Sequence, residues 1–176
     1  MPCLVVYYSF SGNNRILGDH LAARLNAPAA IIEPASARTG FSIFLDLLFN
    51  RRPRVLPLQA DPSAFDHILF VAPIWNRHIA HPMQTAMASL KGRVKACSFA
   101  TLCGAVRPGQ IEVITKDLTS AIGLAPANVW LLPLTELTKA VKGPVREEDM
   151  IERVTPEHLF HFKPQIDAII AALGSR

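Results

Sequence analysis

The sequence predicts an α/β fold in which a parallel sheet is covered by helices on both faces. Three observations support this. Short apolar runs alternate with amphipathic helical stretches along the chain. The first run, Cys3 to Tyr8, is apolar at consecutive positions, as suits a strand buried on both faces. It switches abruptly to the polar turn Ser9 to Asn14, after which Leu17, Leu21 and Leu25 recur every four residues along one helix face. Strand–helix alternation of this kind requires right-handed crossovers, and these place helices against a parallel sheet.

The remaining elements follow in order. Ala29 to Glu33 reads as a brief strand and Pro34 to Gly40 as a loop. Phe41 to Phe49 reads as a helix with a broad apolar face that could pack on the sheet, lie over a ligand site or join a dimer interface, packing being the commonest fate of such a stripe. Pro53, Pro57 and Pro62 keep the next stretch irregular. His67 to Ala72 is a strand ended by Pro73, and Ile74 to His81 is a loop. His81-Pro82 then opens a helix, with proline where its missing N–H does no harm. Lys95 to Thr101 is a strand, Leu102 to Pro108 a loop, Gln110 to Ile122 a helix and Asn128 to Leu132 a fifth strand. Thr155-Pro156-Glu157 starts a final helical region to Leu173, with a kink or division at Pro164. The chain is read as one domain, residues 1–176, with an amphipathic insertion at about 36–57.

Composition narrows the function. Half of the 176 residues are apolar, yet no uncharged apolar stretch reaches the ~20 residues of a membrane helix, and no basic region precedes the first apolar run. A cytoplasmic protein with no membrane partner is expected. Cys3, Cys97 and Cys103 match no metal-ligand spacing, so free buried thiols are expected and no metal. The net charge is +4, but apart from Arg51-Arg52-Pro53-Arg54 the basic residues are scattered, which argues against a nucleic-acid partner.

The turn Ser9 to Asn14 has the makings of a phosphate cradle. Main-chain N–H groups at the start of a helix, with serine and asparagine donors, can bind a phosphate monoester without lysine. Gly12 allows close approach of the main chain. The plainer reading is a turn with a helix cap. Neither the three-glycine dinucleotide fingerprint nor a glycine-rich loop ending in Lys-Ser or Lys-Thr is present, so a nucleoside triphosphate is disfavoured. In a sheet of this kind ligands bind at the carboxyl ends of the strands, where the loops after the first, third and fourth strands converge.

Those loops, Ser9-Phe10-Ser11-Gly12-Asn13-Asn14, Ala72-Pro73-Ile74-Trp75-Asn76-Arg77-His78 and Thr101-Leu102-Cys103-Gly104-Ala105, resemble in residues, order and spacing the three FMN-binding loops of the flavodoxin-like family. The resemblance covers the first strand and helix and the region from Phe65 to about Ile122; the Phe41–Arg54 insertion is similar to one in some small bacterial proteins of this fold. It implies a doubly wound, five-stranded parallel sheet of order 2-1-3-4-5. It also implies FMN as cofactor, with Ser9, Phe10, Ser11, Gly12, Asn13 and Asn14 around the ribityl phosphate. Pro73, Ile74, Trp75, Asn76 and Arg77 would flank the isoalloxazine ring on one side, and Thr101, Leu102, Cys103 and Gly104 on the other. Trp75 would stack on the ring, the alternative being a packing tryptophan.

Electron-carrying members of that family are typically acidic, whereas this chain is basic and places Arg77, His78 and Arg107 in or beside the flavin loops. Positive charge there would favour the reduced flavin. The third loop also lacks the aromatic residue that often covers the ring, leaving a face for a substrate. The resemblance therefore implies an FMN-dependent oxidoreductase that takes hydride from NAD(P)H and reduces a small acceptor such as a quinone. No catalytic residue is assigned. His78 is the one candidate proton donor, against the plainer reading of a solvated loop histidine. Two alternatives stand beside this: an electron carrier serving a redox-protein partner, and a flavin-free interaction protein. A homodimer through the apolar insertion is a further expectation.

Overall fold

A computed structural model describes residues 2–49, 51–142 and 153–174. Five strands form one parallel sheet: β1 (Cys3–Tyr7), β2 (Ala29–Ile31), β3 (His67–Val71), β6 (Cys97–Cys103) and β7 (Val129–Pro133), in the order β2-β1-β3-β6-β7. Counted by sheet strand this is 2-1-3-4-5, the flavodoxin-like order, and it puts the switch in strand order between β1 and β3. Two further strands, β4 (Ile74–Trp75) and β5 (His78–Ile79), make a separate hairpin.

Period-two alternation divides the sheet's side chains between two cores. On one face Leu4, Val6, Ile68, Phe70 and Phe99 pack against α3 (His81–Ser89) and α4 (Gln110–Ile122) through Met83, Met87, Ile114 and Leu118. On the other, Val5, Tyr7, Leu69, Val71 and Leu132 meet α1 (Asn13–Leu25), α5 (Leu134–Lys142) and α6 (Lys163–Leu173) through Leu17, Leu21, Leu137, Ile166 and Ile169. Gly18 sets the approach of α1 to β1, because a Cβ there would lie 2.6 Å from the Tyr7 ring. The region divided by Pro164 is a 3₁₀ segment, Pro156–Phe162, running into α6, with the proline in the first turn of that helix.

Three expectations need adjustment. The fourth sheet strand does not end at Thr101: pairing with β7 carries it on to Cys103, opposite Pro133. Within the stretch read as a loop after Pro73, Ile74 to Ile79 form a hairpin. The insertion is closed at its neck by the bridge Pro34–Val55, with Leu56 N–H donating to Glu33 O (2.8 Å) and Ala35 N–H to Arg54 O (3.0 Å). Within it, α2 (Gly40–Phe49) does not bury its apolar face. Phe41, Phe44, Leu48 and Phe49 are exposed, and the side turned inward carries Asp46, which is buried and ion-paired with Arg38.

Candidate functional site

The first loop grows directly out of β1. Tyr8 N–H still donates to Val71 O (2.9 Å), after which the chain turns through Gly12 and enters α1. Gly12 has φ +97°, a conformation that glycine adopts without strain, and its N–H donates to Ser9 Oγ (3.1 Å), which closes the turn. The amides opening this 13-residue helix have no acceptor within the helix, and the helix dipole adds partial positive charge. Ser11 and Phe10 are exposed beside them. What the loop offers an anion is mainly main-chain N–H groups and the Ser11 hydroxyl.

Asn13 and Asn14 have other work for their side chains. Both are buried. Asn13 Oδ1 accepts from Val154 N–H (2.9 Å), tying the loop to the segment before the last helices. Asn14 clamps a main-chain unit: its Nδ2 donates to Leu102 O (3.1 Å) and its Oδ1 accepts from Leu102 N–H (2.9 Å). The geometry explains the need. β3 pairs with β6 only as far as Ala100, while β6 runs on to Cys103, so Leu102 faces the side where its neighbour has ended. The Asn14 amide takes the place of the missing strand and locks the first loop to the start of the third.

The second loop is the β4–β5 hairpin. Asn76 (φ 46°) and Arg77 (φ 73°) both have left-handed backbone, as a two-residue type I′ turn demands. Asparagine tolerates this; arginine does so uncommonly, and the surroundings hold it there. Gln110 Nε2 donates to Arg77 O (2.6 Å), the Arg77 guanidinium donates to Pro108 O (2.7 Å), and Pro73 O accepts from Ala80 N–H (3.0 Å). Asp117 of α4 accepts from Ile79 N–H (3.0 Å) and lies 3.0 Å from His78 Nδ1. Since a carboxylate only accepts, His78 carries its proton on Nδ1 in this contact, and Nε2 is the nitrogen left to other partners. Helix α4 thus fixes the hairpin in place.

Between this hairpin and the third loop lies a cleft of about 480 Å³, lined by Ile74, Asn76 and Arg77 on one side and by Cys103, Gly104, Ala105, Arg107 and Gln110 on the other. Five of the expected residues therefore meet across one space: Ile74, Asn76, Arg77, Cys103 and Gly104. Thr101 and Leu102 do not join them, being buried in β6, where the Thr101 hydroxyl donates to Leu102 O (3.2 Å). Trp75 is half-buried and meets Tyr8 and Phe10 edge-on, with ring centroids 5.9 and 6.2 Å away, so it braces the first loop against the hairpin instead of walling the cleft. Arg77 and Arg107 give the lining two positive charges, and among the described residues no acid joins it. Burial pushes the Cys103 thiol up to about 11, which makes it a poor nucleophile.

Gln110 and Asp117 were not signalled as part of the site. Each sits on an amphipathic helix where a polar residue ordinarily faces water, and only the hairpin's return to α4 gives them partners.

No family model and no curated protein matches the sequence. Solved structures do match its fold. A flavoprotein from Lactobacillus acidophilus NCFM, determined in complex with FMN, aligns with a TM-score of 0.63 at 17% identity over 78% of this chain and 97% of its own. A protein assigned as a flavoprotein from Bacteroides eggerthii aligns with a TM-score of 0.65 at 18% identity over 99% of both chains. A similarly assigned one from Bacteroides uniformis gives 0.61 at 20% identity over 75% of this chain and 90% of its own. With the strand order, these likenesses establish a flavodoxin-like fold.

Proposed function

We propose that the protein binds FMN across these loops and acts as an oxidoreductase, taking hydride from NAD(P)H and passing electrons to a small acceptor such as a quinone. The observation that carries this reading is that the start of α1 and a basic cleft lie at one end of the sheet, linked through the contact of Trp75 with Phe10. The Lactobacillus flavoprotein of the same fold, which holds FMN, supports it.

The residues present fit such a group. The Ser11 and Asn14 amides and the Ser11 hydroxyl would hold the phosphate, and the ring would take the cleft between Asn76-Arg77 and Gly104-Ala105. When bound, FMN supplies the hydride and electron chemistry, and the protein contributes position, charge and access. Arg77 and Arg107 favour the more negative oxidation state of whatever occupies the cleft. Arg77 is held by Pro108 O, so its charge is fixed rather than mobile. The third loop, Gly104 to Gly109, contains no aromatic side chain to close the cleft against a second reactant. His78, held by Asp117, is the residue able to deliver a proton near the hairpin.

Anaerobic mixing of the FMN-loaded protein with NADH or NADPH tests the reading. Rapid bleaching of the flavin by one of them is expected. Slow reduction by both would make the protein a carrier dependent on a partner reductase, and failure to bind FMN would remove the flavin reading altogether.

A further inference from the structure

The insertion has a surface composition that water alone does not explain. In α2, Phe41 is 70% exposed, Phe44 57%, Leu48 61% and Phe49 59%, and the first three follow helical spacing along one outward stripe. A helix at a protein–water boundary ordinarily turns such a stripe inward. Here the inward side carries Asp46, the only acid between Pro34 and Val55, buried and neutralised by Arg38. The outward side is therefore apolar and free of negative charge. Immediately after it come Arg51, Arg52 and Arg54, all exposed, and the Arg51 guanidinium lies 5.1 Å from the centre of the Phe49 ring.

We propose that α2 and the Arg51–Arg54 segment form a docking surface for an anionic phospholipid bilayer. The helix would lie in the interface with its phenylalanine and leucine stripe at the acyl boundary, and the arginines would meet headgroup phosphates. Charge complementarity selects this occupant over a second copy of the chain. The insertion exposes three arginines and has no exposed carboxylate to receive a partner's, so two such faces brought together would leave like charges unpaired. Among the described residues no helix is long and apolar enough to cross a membrane, but a helix lying in the interface needs only one apolar face. The insertion leaves from the carboxyl end of β2, the end of the sheet that also carries the cleft. Docking would bring that end to the bilayer.

Co-sedimentation of the full chain with vesicles tests this. Binding is expected to equimolar phosphatidylcholine–phosphatidylserine vesicles, to be far weaker on phosphatidylcholine alone, and to fall as salt screens the exposed arginines over a Debye length of ~8 Å or less. Arg51→Gln, Arg52→Gln and Arg54→Gln combined should lose on the order of a hundredfold in partitioning, from roughly fivefold per arginine. Phe44→Ser with Leu48→Ser should abolish binding and leave the melting temperature unchanged. Phe160→Ser, which removes an equally exposed aromatic from another part of the fold, should leave binding intact. The proposal is overturned if wild-type protein ignores the anionic vesicles at low salt, or if both insertion variants bind as wild type does. It is also overturned if sedimentation velocity shows a stable dimer that the Phe44→Ser, Leu48→Ser change dissociates, since that would assign the face to a second copy.

Discussion

Replacing Asn14 by alanine should be among the most damaging single changes at the site, although the residue need not touch a ligand. Its amide makes both hydrogen bonds of the Leu102 main chain on the side where β3 has ended, and both residues are 3% exposed. Removing it strands one buried N–H, at about 1–3 kcal/mol, and leaves Leu102 O with only the Thr101 hydroxyl (3.2 Å) as donor. With the packing of the side chain also lost, the expected total is about 3 kcal/mol. For a chain of this size that corresponds to a fall in melting temperature of roughly 6–12 °C. Asn14→Asp sharpens the test. The aspartate still accepts from Leu102 N–H, but it sets an oxygen against Leu102 O where the amide donated, and it buries a charge. Its loss should equal or exceed that of alanine. Urea unfolding of the three proteins supplies the measurement. A loss below about 0.5 kcal/mol for alanine, or an aspartate variant as stable as wild type, would refute the substitute-strand role.

Other consequences can be checked on the same protein. Asp117→Ala should free the β4–β5 hairpin from α4, cost about 1–3 kcal/mol through the unpaired Ile79 N–H, and weaken FMN, as read by urea unfolding and flavin titration. Burial lowers the affinity of His67 and His81 for protons, with Arg52 and His78 adding to the effect at His81. Their folded-state values then lie below the ordinary ~6.5, so the unfolded chain binds more protons in between. Stability should be full above about pH 6.5 and fall as pH drops below it, by up to about 1.4 kcal/mol per pH unit for each histidine. His67→Gln should remove its share of that slope, and a flat profile between about pH 7 and about pH 5 would contradict the assignment. Burial pushes Cys3, Cys97 and Cys103 up to about 11, so a thiol reagent at neutral pH should label the native protein far more slowly than the unfolded one; equal rates would place a thiol at the surface.

What the sequence revealed and what it concealed divide along a physical line. The sheet strands were visible as short apolar runs, and the central three, β1, β3 and β6, are buried along their whole length. Helix α4 was visible to the residue, Gln110 to Ile122, because Gly109 and Gly123 stand at its two ends with left-handed backbone. The turn at Ser9 to Asn14 was legible as a change from apolar to hydrogen-bonding residues. Long-range partners were not. That Asn14 spends its amide on Leu102, 88 residues away, follows from where two strands stop, and no local pattern encodes it. The extension of β6 to Cys103 depends on β7, and the hairpin depends on Asp117 and Gln110. Its central pair, Asn76-Arg77, lacks the glycine that usually announces a type I′ turn. Helix α5 follows β7 with no intervening turn residue to mark its start. The exposure of α2 was concealed for a related reason: periodicity locates an apolar stripe but not the direction it faces.

The central claim is that main-chain amides at the start of α1 grip a phosphate while the basic cleft takes the attached ring. Parallel titrations with FMN and with riboflavin, followed by quenching of flavin fluorescence, test it most directly because the two ligands differ only in that phosphate. FMN is predicted to bind at least a hundredfold more tightly, a difference of about 2.7 kcal/mol that a charge-assisted anion site can supply. Equal affinities, or no quenching by either, would contradict it.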